Sequence, residues 1–253
     1  MPEFGYYLLL VAMGMIPSFL WLAFYLRKDD HPEPRYMLAK TFLMGIILSP
    51  LAILFQRLFV EFAAGIAPQF EPRGTSFFLW AALIEELVKF FAVYFIVLKT
   101  SDFDEPTDAM IYLITAGLGF AAMENILVLF RLSPDGFGAA GALSDALRVW
   151  SLRFVGATFL HALSSGLVGY FLGLAWFYDH HHKKLIAIGL IVATLFHFAF
   201  NIFLTASTTP ELSLIYATAL LIGMAFLVSI LFDKIKERHV RRVKLTSFLE
   251  PHG

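Results

Sequence analysis

Apolar residues run along this chain in seven long blocks, at about 4–26, 38–60, 77–98, 109–130, 152–177, 185–205 and 213–232. A helix needs about 20 such residues to cross the hydrocarbon core of a bilayer. Short polar stretches rich in Pro, Gly and charge separate the blocks: 27–35, 68–74, 101–106, 133–141 and 179–184. The pattern predicts an all-α fold, a polytopic integral membrane helix bundle of about seven transmembrane helices. It forms one transmembrane domain, 1–232, followed by a basic tail, 233–253. The first block is span-length and follows Met1-Pro2-Glu3 without a basic lead, so it reads as a span and not as a signal peptide. Composition agrees: 59% of residues are hydrophobic, 15% are charged and mean hydropathy is +0.74, outside the range of soluble domains.

Basic residues are unequally shared between the two sets of connectors. Arg27, Lys28, Arg35, Lys40, Lys99, Lys183 and Lys184 fall on one side, with Lys234, Lys236, Arg238, Arg241, Arg242 and Lys244 of the tail. The other side has Arg57, Arg73, Arg131, Arg148 and Arg153. The positive-inside rule then predicts the N-terminus outside and the C-terminus inside. A net charge of −1 gives no basis for a nucleic-acid partner, and the absence of cysteine removes disulfides, thiolate metal sites and a cysteine nucleophile.

The third block interrupts the apolar pattern. It carries Glu85, Glu86 and Lys89 near its middle. Each such group costs about 2.5–3.5 kcal/mol at the centre of a membrane helix, so ionisable residues there face a protein interior or a wet cavity and mark function. Three other blocks carry polar groups: Glu124-Asn125 in the fourth, His161 with Ser164 and Ser165 in the fifth, His197 and Asn201 in the sixth. Blocks one, two and seven have essentially none in their central parts. Counted from the shared outer face, Glu85, Glu124, His161 and His197 all lie roughly 9–14 Å deep. Glu85 and Lys89 are i,i+4 and share a helix face, which lets them neutralise each other in part. His161 and Ser165, and His197 and Asn201, have the same spacing, while Glu85 and Glu86 point about 100° apart.

Taken singly, these groups have bland explanations. Asn and Ser often serve as packing glue between membrane helices, and a lone buried His is usually hydrogen-bonded structure. As a layer they suit water activation. A two-histidine, one-carboxylate set, Glu124, His161 and His197, matches a catalytic Zn²⁺ site with one position left open. A further carboxylate, Glu85 or Glu86, takes the water's proton, and Asn201 or a histidine stabilises the oxyanion. A second class of function fits the same layer: a proton- or cation-coupled transporter using Glu and His as a relay. No internal repeat is visible, which counts against an inverted-repeat transporter. H-E-x-x-H and G-x-S-x-G are both absent.

Other features have simpler readings. The basic tail reads as a solvated juxtamembrane anchor, with anionic lipid as its alternative partner. Asp102 to Asp108 reads as a cytoplasmic turn in which Thr107 or Asp108 caps the next helix. His180-His181-His182 reads as a solvated loop. The segment 133–151 reads equally as a lid on the outer surface or as an interfacial connector.

Four short motifs now stand in order: Glu85-Glu86-x-x-Lys89, Gly119-Phe120-x-x-x-Glu124-Asn125, His161-x-x-x-Ser165 and His197-x-x-x-Asn201. Together they resemble the PrsW intramembrane proteases, distant relatives of the CAAX prenyl endopeptidases. Asp104-Glu-Pro-Thr-Asp108 leading to Tyr112 and Gly117-Leu-Gly-Phe120 adds to the likeness, which covers about residues 80–205. Ala109 departs from the glycine expected after the aspartate, a change that bears on packing. Glu124 stands where the CAAX enzymes have histidine. The resemblance implies a multi-pass protease of a bacterial-type cell membrane that cuts a single-span protein, such as an anti-sigma factor, near the extracytoplasmic face. It also implies that Glu85 and Glu86 activate water, with His161 and His197 as metal ligands or oxyanion stabilisers.

Overall fold

The computed structural model describes every residue except 1, 68, 73, 133–141, 207–208 and 250–253. The chain folds into helices α1 (Pro2–Leu26), α2 (Arg35–Ile66), α3 (Thr75–Ile96), α4 (Asp108–Leu132), α5 (Ala142–Val155), α6 (Ala157–Ala175), α7 (His182–Ala206) and α8 (Pro210–Leu249). Six stretches are long and apolar enough to cross a membrane: Gly5–Leu26, Arg35–Ile66, Asp108–Leu132, Leu143–Ala175, His182–Thr205 and Pro210–Lys244. The seventh expected span is α3, a helix of 22 residues. Glu85, Glu86 and Lys89 set it apart from the other six.

Helix α4 is the centre of the bundle. Every residue from Asp108 to Ala122 is buried, and α1, α2, α3, α5 and α6 all pack against it. Its sequence is apolar all round, as a fully enclosed helix requires. Small residues let the neighbouring backbones come close, the usual device where lipid removes the hydrophobic drive for helix association. A Cβ added at Gly45 of α2 would lie 2.2 Å from the Ala116 carbonyl oxygen, and one at Gly119 would lie 2.1 Å from that of Phe42. On the opposite flank, Gly169 and Gly173 of α6 admit the start of α4: their added Cβ atoms would stand 2.5 Å from Met110 Cα and 2.3 Å from Pro106 O. The small residue needed beside Ala109 is thus supplied by α6. Gly119→Ala is expected to cost about 1–3 kcal/mol, because its obstacle is backbone that must shift. Gly223→Ala, with nothing within 4 Å of the new methyl group, is expected to leave the thermal midpoint in detergent nearly unchanged.

The structure departs from the sequence pattern in three places. The block expected at 152–177 is broken at Gly156, which separates α5 from α6. Of the segment 133–151, residues 133–141 lie outside the described residues, and the remainder belongs to α5. That helix is amphipathic, with Ala146 buried and Trp150 Nε1 donating to Met13 O of α1 at 2.6 Å. The stretch after residue 232 continues α8 as helix to Leu249. Three of its cations touch the rest of the bundle while Arg238 and Arg242 stay exposed: Lys236 pairs with Asp30 at 2.9 Å, Arg238 donates to Tyr178 Oη at 3.1 Å, and Arg242 donates to Trp176 O at 3.0 Å. At the foot of α4, the Asp108 carboxylate accepts the Asp104 and Glu105 N–H groups, at 2.9 and 2.7 Å. It therefore organises the preceding turn rather than the helix's own first N–H groups. Tyr112 Oη donates to Glu33 and ties that turn to the α1–α2 connector.

Candidate active site

Helices α3, α4, α6 and α7 bring their polar groups to one place. Glu85 and Glu86 project from α3, Glu124 from α4, His161 from α6 and His197 from α7. All but Glu124 are buried, and Lys89 is fully so. The Glu124 side chain is 26% exposed, which makes its flank the open side of the cluster.

His197 sits between the two adjacent glutamates. Its Nδ1 is 2.8 Å from Glu86 Oε1, and its Nε2 is 3.5 Å from Glu85 Oε2. An imidazole has donors or acceptors at opposite corners, so two carboxylates about 100° apart on α3 both reach it. Glu85 is held from its other side by Gln56 of α2, whose Nε2 donates to Oε1 at 2.9 Å. Lys89 bonds Glu86 Oε1 at 2.6 Å. The i,i+4 pairing with Glu85 expected from sequence is therefore replaced by an i,i+3 pairing with Glu86, since Glu85 turns toward α2 and α7. Glu86 Oε1 takes both the ammonium and His197, leaving Oε2 buried without a hydrogen-bond partner.

Lys89 also lies 3.3 Å from His161 Nδ1 and 3.4 Å from Ser164 Oγ. An ammonium only donates, so Nδ1 accepts, and the ring proton of His161 sits on Nε2. That nitrogen is 2.9 Å from Glu124 Oε2. Arg153, from the end of α5, donates to Glu124 Oε2 at 3.1 Å and to Asn125 Oδ1 at 2.6 Å. Asn125 Nδ2 donates in turn to Thr158 Oγ1 at 2.9 Å. A chain of contacts thus runs from the open side to the buried carboxylates: Arg153, Glu124, His161, Lys89, Glu86, His197.

The donor set suits a divalent metal ion. Among the described residues, one group offers three ligand atoms within 4.8 Å of one another: Glu85, His161 and His197. Two ligands about 2.0–2.1 Å from a tetrahedral ion stand roughly 3.3 Å apart, close to the His197–Glu85 separation. His197 also has the outer arrangement of a metal ligand, its second ring nitrogen fixed by a carboxylate. Glu124, expected as the third ligand, instead bridges Arg153 and His161 Nε2. Both nitrogens of His161 are engaged here, so binding an ion exchanges one of its contacts for the ion.

The other sequence candidates are placed as follows. Asn201 is half-buried one turn beyond His197, and among the described residues its side chain takes part in no hydrogen bond. Ser165 Oγ is buried without a partner, packed where a Cβ on Gly117 would come within 2.2 Å. His180, His181 and His182 lie exposed at a short 3-10 turn, Asp179–His181, outside any metal-sized group among the described residues. Gln56 and Arg153 were missed. Gln56 lies in an otherwise apolar span with no charge to mark it, and Arg153 reads in sequence as one more outer-side charge. Its position five residues before Thr158, at the polar end of an amphipathic stretch, was the available signal.

The model of the PrsW family intramembrane metalloproteases matches residues 33–231 of this chain. A relative named Protease PrsW from Geobacillus kaustophilus is 33% identical over 66% of this chain and 67% of its own length. Its namesake in Bacillus subtilis is 30% identical over 78% of this chain and 83% of its own. The one in Oceanobacillus iheyensis is 26% identical over 83% and 93% respectively. No solved structure matches.

Proposed function

Because this chain belongs to the PrsW family of intramembrane metalloproteases, a membrane-embedded peptide hydrolase, we propose that its buried Glu/His cluster cuts a single-span, anti-sigma-factor-like protein. Cleavage falls near the extracytoplasmic membrane face, with the N-terminus of the protease outside and its C-terminus inside. The observation that carries this reading is the pairing of two functions in one buried place. Glu85, His161 and His197 offer a ligand set, and Glu86 beside them keeps an unpartnered carboxylate oxygen.

In this reading Glu85, His161 and His197 hold a divalent ion, Zn²⁺ by the chemistry of the donors. The chemistry such an ion supplies when bound is Lewis acidity toward the scissile carbonyl and toward water. Glu86 Oε2 takes the proton of the attacking water and returns it to the leaving amine, the role of a general base turned acid. Lys89 keeps Glu86 from repelling Glu85 and holds Oε1 fixed, so that Oε2 alone is presented to water. Glu124 and Arg153 orient His161. Asn201, whose side chain makes no hydrogen bond among the described residues, is the donor available to an oxyanion that forms toward the outer end of α7. Substrate enters on the Glu124 side, where the cluster is least covered.

The test compares new protein N-termini in membranes from cells expressing wild type or Glu86→Gln at equal levels. Termini seen only with wild type, just outside the bilayer in single-span proteins, are expected. Identical profiles under envelope stress would contradict the proposal and favour transport.

A further inference from the structure

A second cavity lies away from the Glu/His cluster, on the lipid-facing side between α1 and α8. It measures about 440 Å³, within the span of about 300–1,000 Å³ typical of ligand sites. Trp21 and Phe24 of α1, Phe159 of α6 and Phe226 of α8 form its walls. Trp21 and Phe159 stack at 4.0 Å, which makes one wall rigid. Tyr25 and Phe232, their rings 6.1 Å apart, close the floor. Phe24 and Phe226 remain 48% and 69% exposed, so the cavity is a groove open to the surroundings of the helices. In a bilayer those surroundings are hydrocarbon.

One end of the groove is polar. Lys28, the only charged residue lining it among the described residues, stands there with Ser229, its Nζ 3.4 Å from the hydroxyl oxygen. Lys28 forms no ion pair among the described residues. Of the adjacent carboxylates, Asp30 pairs with Lys236 at 2.9 Å, and buried Asp29 accepts the His31 N–H through Oδ1 at 3.2 Å, with neither carboxylate within ion-pair distance of Lys28 among the described residues. Exposed Arg27 precedes Lys28 in the chain. The result is an ammonium and a hydroxyl at the mouth of an aromatic groove, on the end of the bundle richest in Lys and Arg. A membrane surface offers one class of molecule with the complementary form: a negative phosphate joined to a hydrocarbon chain.

We propose that this groove is a binding site for an anionic phospholipid. One acyl chain lies between α1 and α8 against Trp21, Phe24, Phe159 and Phe226, and the phosphate takes hydrogen bonds from Lys28 Nζ and Ser229 Oγ. A zwitterionic lipid fills the same groove less well, because its headgroup cation meets Lys28 and Arg27. The site is independent of the proteolytic reading.

Native mass spectrometry of the delipidated full chain tests it, with dioleoyl phosphatidylglycerol and dioleoyl phosphatidylcholine titrated in parallel. The first phosphatidylglycerol is expected to bind about fivefold tighter or more, the factor one basic residue supplies at an anionic surface. Lys28→Gln should bring the two lipids level. Ala225→Trp, which fills the groove, should remove the first adduct of both. Thermal melting without lipid verifies that each variant is folded, and only wild type is expected to gain stability from phosphatidylglycerol. Equal binding of the two lipids by wild type would overturn the proposal. So would a preference for phosphatidylglycerol that survives Lys28→Gln, or a first adduct of either lipid that survives Ala225→Trp.

Discussion

Glu86→Gln is expected to lower kcat/KM for any cleaved substrate by about 10²–10⁴-fold, the range of a lost general base. The same change disturbs the fold, because Lys89 is fully buried and, among the described residues, Glu86 is its only carboxylate partner at hydrogen-bond distance. Removing one member of a buried pair leaves the other charge uncompensated, at a cost of about 3–5 kcal/mol. A double variant separates the two effects. Glu86→Gln with Lys89→Met removes both charges and is expected to recover most of the thermal midpoint while recovering no activity. Lys89→Met alone is expected to be destabilised as well, since it strands Glu86. Recovery of activity together with stability in the double variant would show that Glu86 acts through folding rather than through chemistry. Circular dichroism melts and cleavage rates on the same preparations read both quantities.

The second large effect concerns metal retention and decides which carboxylate is the ligand. Glu85→Gln and His197→Ala are each expected to reduce bound metal from about one ion per chain to below about a tenth. Each removes a member of the group whose donor atoms lie within 4.8 Å of one another. Glu124→Gln is expected to weaken metal binding by only about 10–100-fold, the effect of losing a residue that orients a ligand. Its carboxylate lies 2.9 Å from His161 Nε2 and 3.1 Å from the Arg153 guanidinium. Metal content after dialysis against a series of buffered Zn²⁺ concentrations measures all three. If Glu124→Gln loses the ion outright and Glu85→Gln keeps it, the ligand set is the one the sequence pattern first indicated.

The two candidate ligand sets show where the sequence was informative. The depth of Glu85, Glu124, His161 and His197 follows from counting residues along helices that alternate direction, and the structure does gather them. The ends of α1, α3, α4 and α7 lie within three residues of the expected blocks, whereas α2 runs on to Ile66 and α8 to Leu249, because an apolar pattern does not show where a helix stops. Rotation about each helix axis was not legible. Whether Lys89 meets Glu85 or Glu86 depends on which way α3 faces α6 and α7, and i,i+3 and i,i+4 spacings serve equally well. Gln56 was hidden because a neutral amide barely disturbs the hydropathy of α2, although it fixes Glu85. The break at Gly156 was hidden because α5 and α6 together are apolar enough to read as one span. That break lets Arg153 swing its side chain onto Glu124 and Asn125. The contacts of the cationic end of α8 with Trp176, Tyr178 and Asp30 were not legible because they are nonlocal.

The most direct measurement reconstitutes the purified full chain in proteoliposomes with a single-span protein identified by its new terminus. The reaction runs in ¹⁸O-enriched water, and mass spectrometry reads the product ends. The account predicts one new C-terminus carrying ¹⁸O, a matching N-terminus at the site mapped in membranes, and neither product with Glu86→Gln or after metal chelation. An intact substrate with the metal-loaded wild-type chain, or equal cleavage by Glu86→Gln, would contradict it.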